Sequence, residues 1–260
     1  MYNELIEMVK HQGEEVPVIK YYKPENKISD VAVVIFPGGG YTHRAVHEGE
    51  GYGEFLAENG ISAFVVEYTV CPEDYEYTIY DGRRAVRYVR HYSEKYGIDK
   101  NKIIVAGSSA GGHLAASLCT CFENLECECK DEIDKEDFVP NGQIICYGVT
   151  KLFGKYRGQK GHTGTGVNLL GKRRRELYRK LSPICNVSEK TPKAFIWHTM
   201  EDTCVPAMLG FEYAKKLYEN NIEVESHFFA KGAHGMGIIK ANDNVKQWAG
   251  LLLNWIKNNY

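Results

Sequence analysis

Residues 102–118 read KIIVAGSSAGGHLAASL, and this stretch decides the fold. Ile103, Ile104 and Val105 form a short apolar β-run, Gly107-Ser108-Ser109-Ala110-Gly111 follows, and a helix of small residues completes it. Strand, sharp turn and helix thus carry a serine at the centre of a G-x-S-x-G pattern. A serine forced onto so tight a turn crowds its neighbours. The positions two before and two after it must be nearly free of side chain, and here they are Gly107 and Gly111. The turn lifts the Ser109 hydroxyl above the sheet edge and aims the first helical N–H groups at the same point.

On either side of this stretch, strands and helices alternate. Val31–Phe36 (VAVVIF) is a continuous apolar run, the signature of a strand covered on both faces. Val16–Tyr22 reads as an earlier strand and Pro24–Ser29 as a turn. Gly51–Asn59 reads as a short helix, Ile61–Tyr68 as a strand, and Tyr77–Tyr96 as a long amphipathic helix with Ala85, Val89 and Tyr92 on one face. Its arginines, Arg83, Arg84, Arg87 and Arg90, are assigned to the solvated side. Asp81 reads as an ordinary first-turn carboxylate, with anchorage of a neighbouring loop as the alternative. The helix after Ser109 ends near Phe122, and acidic Glu123–Asp137 reads as a surface loop. Gly142–Gly148 is another buried strand. Thr150–Leu181, glycine-rich and then basic at Lys172-Arg173-Arg174-Arg175, suits a lid over a pocket, helical from Arg174 to Lys180. Lys193–Thr199 is a strand, Ala207–Asn220 a helix, Glu223–Phe229 a strand, and Asn242–Asn258 a closing helix with Trp248, Leu252 and Trp255 inward. This alternation predicts an α/β fold: one domain over 1–260, with a mostly parallel sheet, helices on both faces and a lid-like insertion at about 150–181.

The totals exclude some functions. With 260 residues, 43% of them hydrophobic, the chain can bury a large core. A net charge of −2 gives no global pull toward nucleic acid or anionic membrane. No apolar run is long enough to span a bilayer. Met1–Lys20 carries Glu4, Glu7, Glu14 and Glu15 without an apolar core, so no secretory signal is expected. Eight cysteines without an export signal point to reduced thiols in the cytoplasm. Cys119, Cys121, Cys127 and Cys129 form two C-x-C pairs. A zinc reading is set aside because i and i+2 side chains of a helix diverge and the C-x₂-C knuckle spacing is missing.

In a parallel sheet, loops leaving the carboxyl ends of the strands meet in space. Ser109 needs a base there. Among nine histidines, His234 sits on the loop after the last strand, between Gly232 and Gly235. His198 and His227 lie within strands and read as packed or surface residues. His113 reads as a helix packing residue, and His43 and His47 as pocket-rim candidates. The third member is a carboxylate that holds the imidazole tautomer and stabilises the imidazolium. Asp202, on a loop closed by Pro206, is favoured over its neighbour Glu201. The oxyanion donors are assigned to the N–H of Ala110 and to the bare amides of Gly39 and Gly40 in Pro37-Gly38-Gly39-Gly40-Tyr41, with Gly38 left to the turn itself. Acyl transfer through these groups requires neither metal nor cofactor.

Several of these motifs together resemble a known family over nearly the whole chain. They are Pro37–Tyr41 with Glu48-Gly49-Glu50, Gly107–His113, Leu181-Ser182-Pro183, His198-Thr199 with Asp202 and Val205-Pro206, and Gly235 after His234. They are similar to the bacterial α/β-hydrolase esterases labelled acetyl-xylan esterase or esterase/lipase. The order serine, acid, histidine is also that of α/β-hydrolases. The resemblance implies a serine esterase cleaving short acyl groups, commonly acetyl, from carbohydrate or small alcohols, with the triad on Ser109, Asp202 and His234. Pro37 stands where hormone-sensitive-lipase-like relatives carry histidine, which argues against that branch. The expected substrate is a small ester, such as an acetylated oligosaccharide. An amidase of arylformamidase type or an aminopeptidase-like hydrolase on the same scaffold remains the alternative.

Overall fold

A computed structural model of the chain describes residues 1–71, 74–121, 129–156, 161–171 and 176–260. Among these, β1 (Glu4–Glu7), β2 (Val18–Tyr22), β3 (Ala32–Phe36), β4 (Ser62–Glu67), β5 (Ile103–Ser108), β6 (Gly142–Cys146), β7 (Ala194–Thr199) and β8 (Val224–Phe229) form one sheet, ordered β1-β2-β4-β3-β5-β6-β7-β8. Pairing is antiparallel for β1 with β2 and β2 with β4, and parallel from β4 to β8. The helices are α1 (Val46–Glu58), α2 (Tyr75–His91), α3 (Ser93–Tyr96), α4 (Ala110–Thr120), α5 (Gly161–Leu170), α6 (Glu176–Lys180), α7 (Met208–Glu219) and α8 (Asp243–Asn259).

Alternation along β3 divides its side chains between two apolar layers. Ala32, Val34 and Phe36 pack with residues of α2, α4 and α7, whereas Val33 and Ile35 pack with Tyr52 and Leu56 of α1 and Trp248, Leu252 and Trp255 of α8. Cover on both faces explains why the strand reads as an unbroken apolar run. The same double cover holds β5, whose six residues are all buried, at the centre of the sheet. This core fixes the level at which the β5–α4 turn emerges.

Some expectations are corrected here. Arg83, Arg84 and Arg90 of α2 are buried, not solvated. Residues 129–141 lie across the helix and supply their partners. Arg84 makes two hydrogen bonds to Asp131, and its Nη1 is 3.0 Å from Oδ1 of buried Asp134. Arg83 stacks over the Phe138 ring at 4.1 Å, and Arg90 donates to the carbonyls of Lys100, Asp137 and Val139. The described part of the expected surface loop, including a 3-10 turn at Glu132–Lys135, therefore packs against the helix. Asp81 is the loop anchor after all. It is fully buried, accepts from Thr69 N–H at 2.8 Å and meets His11 Nε2 at 2.7 Å. A short first strand, β1, and helix α5 were not expected. The Lys172–Arg175 run, Cys127 and the Phe122 helix end lie outside the described residues. No helix among the described residues is long and apolar enough to cross a membrane.

Candidate active site

The β5–α4 turn shows why two glycines flank Ser109. A Cβ on Gly107 would stand 2.1 Å from the Gly111 carbonyl oxygen, and one on Gly111 would stand 2.0 Å from that of Phe36. Ser109 itself is held at φ 52°, ψ −116°, a conformation that costs a non-glycine residue about 1–3 kcal/mol. Its backbone is over-determined. Ser109 N–H donates to Cys146 O at 3.0 Å, and Ser109 O accepts from His113 and Val149, both at 3.1 Å. The strain sets the hydroxyl outward at the top of β5.

The loops after β7 and β8 bring the other two groups to it. His234 Nε2 lies 2.9 Å from Ser109 Oγ, and His234 Nδ1 lies 2.6 Å from Asp202 Oδ2. A carboxylate only accepts, so Nδ1 carries the ring proton and the Nε2 lone pair faces the hydroxyl. Asp202 Oδ1 accepts from the N–H groups of Cys204 and Val205, both at 2.8 Å. Burial alone would push this carboxyl up. The hydrogen bonds from His198 and His234 outweigh it and hold the group well below the usual carboxylate range. Glu201 turns elsewhere and accepts from Gly232 N–H at 3.3 Å. The acid and histidine loops are joined directly, since Thr199 Oγ1 donates to Gly232 O at 2.8 Å.

The glycine loop is oriented by its carbonyls. Gly38 O accepts from Ala45 N–H at 2.9 Å, and Gly39 O accepts from Thr42 N–H at 3.0 Å and from the Thr42 hydroxyl at 2.9 Å. In a planar trans peptide the N–H points opposite to the carbonyl, so the amides of Gly39 and Gly40 are turned away from these partners. The Gly38 amide is already engaged, donating to Glu48 Oε2 at 2.9 Å. Gly39 sits at φ 128°, open only to glycine. Ala110 is the first residue of α4, so its N–H is one of the four that no helical carbonyl takes up.

Ser109, His234, Gly39 and Gly40 border a cavity of about 480 Å³, together with His43 and His47 from the glycine-loop exit and Thr165 and Asn168 of α5. Asn168 Nδ2 donates to Gly40 O at 2.7 Å, which ties α5 to the glycine loop. A larger hollow of about 740 Å³, near Lys27, Asn59 and Gly97, holds none of the three assembled side chains. His113 is buried between the Tyr41 hydroxyl at 2.7 Å and Leu181 O at 2.8 Å, and burial brings its pKa down to about 4. No group of three or more histidine, cysteine, aspartate or glutamate side chains able to hold a metal occurs among the described residues.

Three polar residues at the site escaped the sequence reading of their roles. His198, expected only to pack, is buried with Nε2 at 3.2 Å from Asp202 Oδ2 and 3.0 Å from Val205 O. Both are acceptors, so Nε2 carries a proton and helps to solvate the acid. Glu48, visible in the sequence only as part of a family-like motif, is 3% exposed and accepts the Tyr147 hydroxyl at 2.7 Å. Tyr147 in turn sets its ring edge-on to His234, with centroids 5.1 Å apart. The available sequence signal was a glutamate in line with the buried face of a helix, four and eight residues before Tyr52 and Leu56, as at Glu48, or a histidine four residues before a candidate acid, as at His198.

A family model described as BD-FAE matches residues 19–217. The chain is similar to endo-1,4-beta-xylanase B of Butyrivibrio fibrisolvens, with 30% identity over 243 residues, covering 90% of this chain and 37% of that protein. It is also similar to acetylxylan esterase of Xylanibacter ruminicola, with 28% identity over 249 residues, covering 91% of this chain and 47% of that protein. The chain thus spans less than half the length of these two curated relatives. A solved structure, the acetyl ester-xyloside bifunctional hydrolase from Caldicellulosiruptor lactoaceticus, superposes with a TM-score of 0.88 at 34% identity, covering 98% of this chain and 96% of that one.

Proposed function

The chain belongs to the BD-FAE family, among the α/β-hydrolase carboxylic ester hydrolases, and from that premise we propose that it is a serine esterase removing short acyl groups, chiefly acetyl, from xylo-oligosaccharides or related sugars. The observation that carries the reading is the unbroken chain from Ser109 through His234 to Asp202. His234 Nε2 takes the hydroxyl proton as Ser109 Oγ attacks the acyl carbonyl carbon. Asp202 stabilises the imidazolium that forms. The amides of Gly39, Gly40 and Ala110 hold the developing oxyanion, each such donor being worth about 10²–10³ in turnover. His234 then gives its proton to the departing alcohol, leaving an acyl-enzyme. Water, activated by the same imidazole, attacks that ester and releases the acid. No step needs a cofactor or a metal.

The acetyl and sugar preferences rest on the named relatives, which include an acetylxylan esterase and an acetyl ester-xyloside hydrolase. The 150–181 segment, acting as a lid, would select the alcohol. A cytoplasmic location is proposed with it, supported by the cysteines among the described residues, all of them free thiols. The test is a panel of p-nitrophenyl esters from acetate to octanoate beside acetylated xylo-oligosaccharides, formanilides and peptides. Acetyl esters should turn over fastest, and Ser109→Ala should abolish that turnover. Preferential cleavage of a formanilide or peptide would favour an amidase, and full activity of Ser109→Ala would remove the serine from its role.

A further inference from the structure

Glu48 lies in the first turn of α1, yet it is buried beneath the reacting centre. Its two carboxylate oxygens face different loops. Oε2 accepts the Gly38 amide at 2.9 Å, where the glycine loop leaves β3. Oε1 accepts the Tyr147 hydroxyl at 2.7 Å, and that hydroxyl accepts the Gly237 amide at 3.1 Å, three residues beyond His234. A third tie runs beside it, His47 Nε2 to Gly235 O at 2.8 Å. We propose that Glu48 is a positioning residue which, with Tyr147 as its extension, locks the oxyanion loop and the histidine loop into one register. The proposal rests on the serine-esterase reading above.

The direction of these bonds is determined by chemistry. Burial, with Glu48 close by, raises Tyr147 well above the ordinary phenol range, so it keeps its proton. A phenol has one proton to give. Tyr147 gives it to the carboxylate and so receives the Gly237 N–H. Tyr147 also sits at φ 39°, an uncommon conformation for a non-glycine residue, with its own N–H fixed to Trp197 O at 2.8 Å. Its ring borders the imidazole. On the other side, the planar peptide of Pro37 and Gly38 is held at both ends, since Pro37 O accepts the Tyr68 hydroxyl at 2.5 Å. Rotation of that peptide would carry the next two amides, Gly39 and Gly40, out of alignment. One buried carboxylate therefore restrains the donors for the oxyanion and the loop carrying the base, which lie far apart in sequence.

Two variants test this, each counted by stoichiometric fluorophosphonate titration so that rates are per intact site. Glu48→Gln keeps the size but places an NH₂ against a donor on one side. Tyr147→Phe keeps the Glu48 carboxylate and its bond to the Gly38 amide, but removes the phenol donor from Oε1 and frees the Gly237 amide. The expected result is a fall in kcat of about 10²-fold for Glu48→Gln and about 10-fold for Tyr147→Phe, with KM within about 3-fold in both. Affinity for an alkyl boronic acid, which mimics the tetrahedral oxyanion, should fall in step with kcat. A merely structural role would lower the titrated fraction of sites and leave kcat per site unchanged. If Glu48→Gln does not fold, Tyr147→Phe carries the test alone. The proposal is overturned if the folded variants keep kcat per site within about 3-fold, or if boronic acid binding holds while kcat falls. Ser109→Ala, run in parallel, separates the two claims: if it stays active, the serine-esterase reading itself has failed.

Discussion

Replacing Asp202 by asparagine should disable the base without moving it. The backbone dictates how the new side chain must sit. Cys204 and Val205 both donate to Oδ1 at 2.8 Å, so asparagine keeps its carbonyl oxygen there. Its NH₂ then occupies the place of Oδ2, 2.6 Å from His234 Nδ1 and 3.2 Å from His198 Nε2. His234 can satisfy that donor only by accepting at Nδ1, which moves its proton to Nε2. That proton faces Ser109 Oγ, and the ring can no longer take one. A wrong tautomer of this kind costs about 10⁴ in kcat, or about 5.5 kcal/mol of transition-state stabilisation. His198 keeps only the Val205 carbonyl, so one charge-assisted hydrogen bond worth about 1.5–3 kcal/mol is lost from the buried site. The melting temperature should drop by roughly 5 °C. Steady-state hydrolysis of p-nitrophenyl acetate near neutral pH, with thermal unfolding followed on the same preparation, reads both quantities. A kcat within about 10-fold of the parent would refute the tautomer argument.

Two further outcomes follow from the same geometry. Asn168→Ala removes the donor to the Gly40 carbonyl but leaves the core untouched. It should lower kcat/KM by about 3–10-fold while unfolding shifts by no more than about 4 °C, since an exposed hydrogen bond contributes about 0.5–1.5 kcal/mol. Unchanged kcat/KM across the ester series would show that α5 has no hold on the glycine loop. His113 supplies a pH dependence. Burial depresses its folded pKa to about 4 from 6.5, so the unfolded chain binds the proton first as pH falls. The stability it contributes is complete above pH 6.5 and is lost on acidification through pH 4, by about 3 kcal/mol. Urea unfolding at pH 7 and pH 4.5 should show that slope in the parent and not in His113→Gln, and parallel slopes would contradict the assignment.

What could be read from sequence was whatever a local pattern forces. The bare positions around Ser109 follow from contacts of about 2 Å that only glycine survives, so the turn announces itself. His234 and Asp202 stood out because both sit on loops after strands, where a parallel sheet gathers its functional groups. The arginines of α2 were misread because helical periodicity says which side chains share a face and not what covers that face. The cover came from residues 129–141. Asp81 was misjudged for the same reason, its partners Thr69 and His11 lying 12 and 70 residues away. Glu48 and Tyr147 meet across 99 residues, which no spacing rule reaches. Helix α5 was hidden by Gly161, Gly164 and Gly166, and β1 by its length of four residues.

The central claim is that Ser109 is the nucleophile, activated by His234. Treating the protein with a fluorophosphonate and locating the adduct by peptide mass spectrometry tests it most directly. The account predicts one phosphonyl group per chain, on Ser109, formed in proportion to the loss of ester hydrolysis and blocked in His234→Ala. A label on another residue, or hydrolysis that survives complete modification of Ser109, would contradict it.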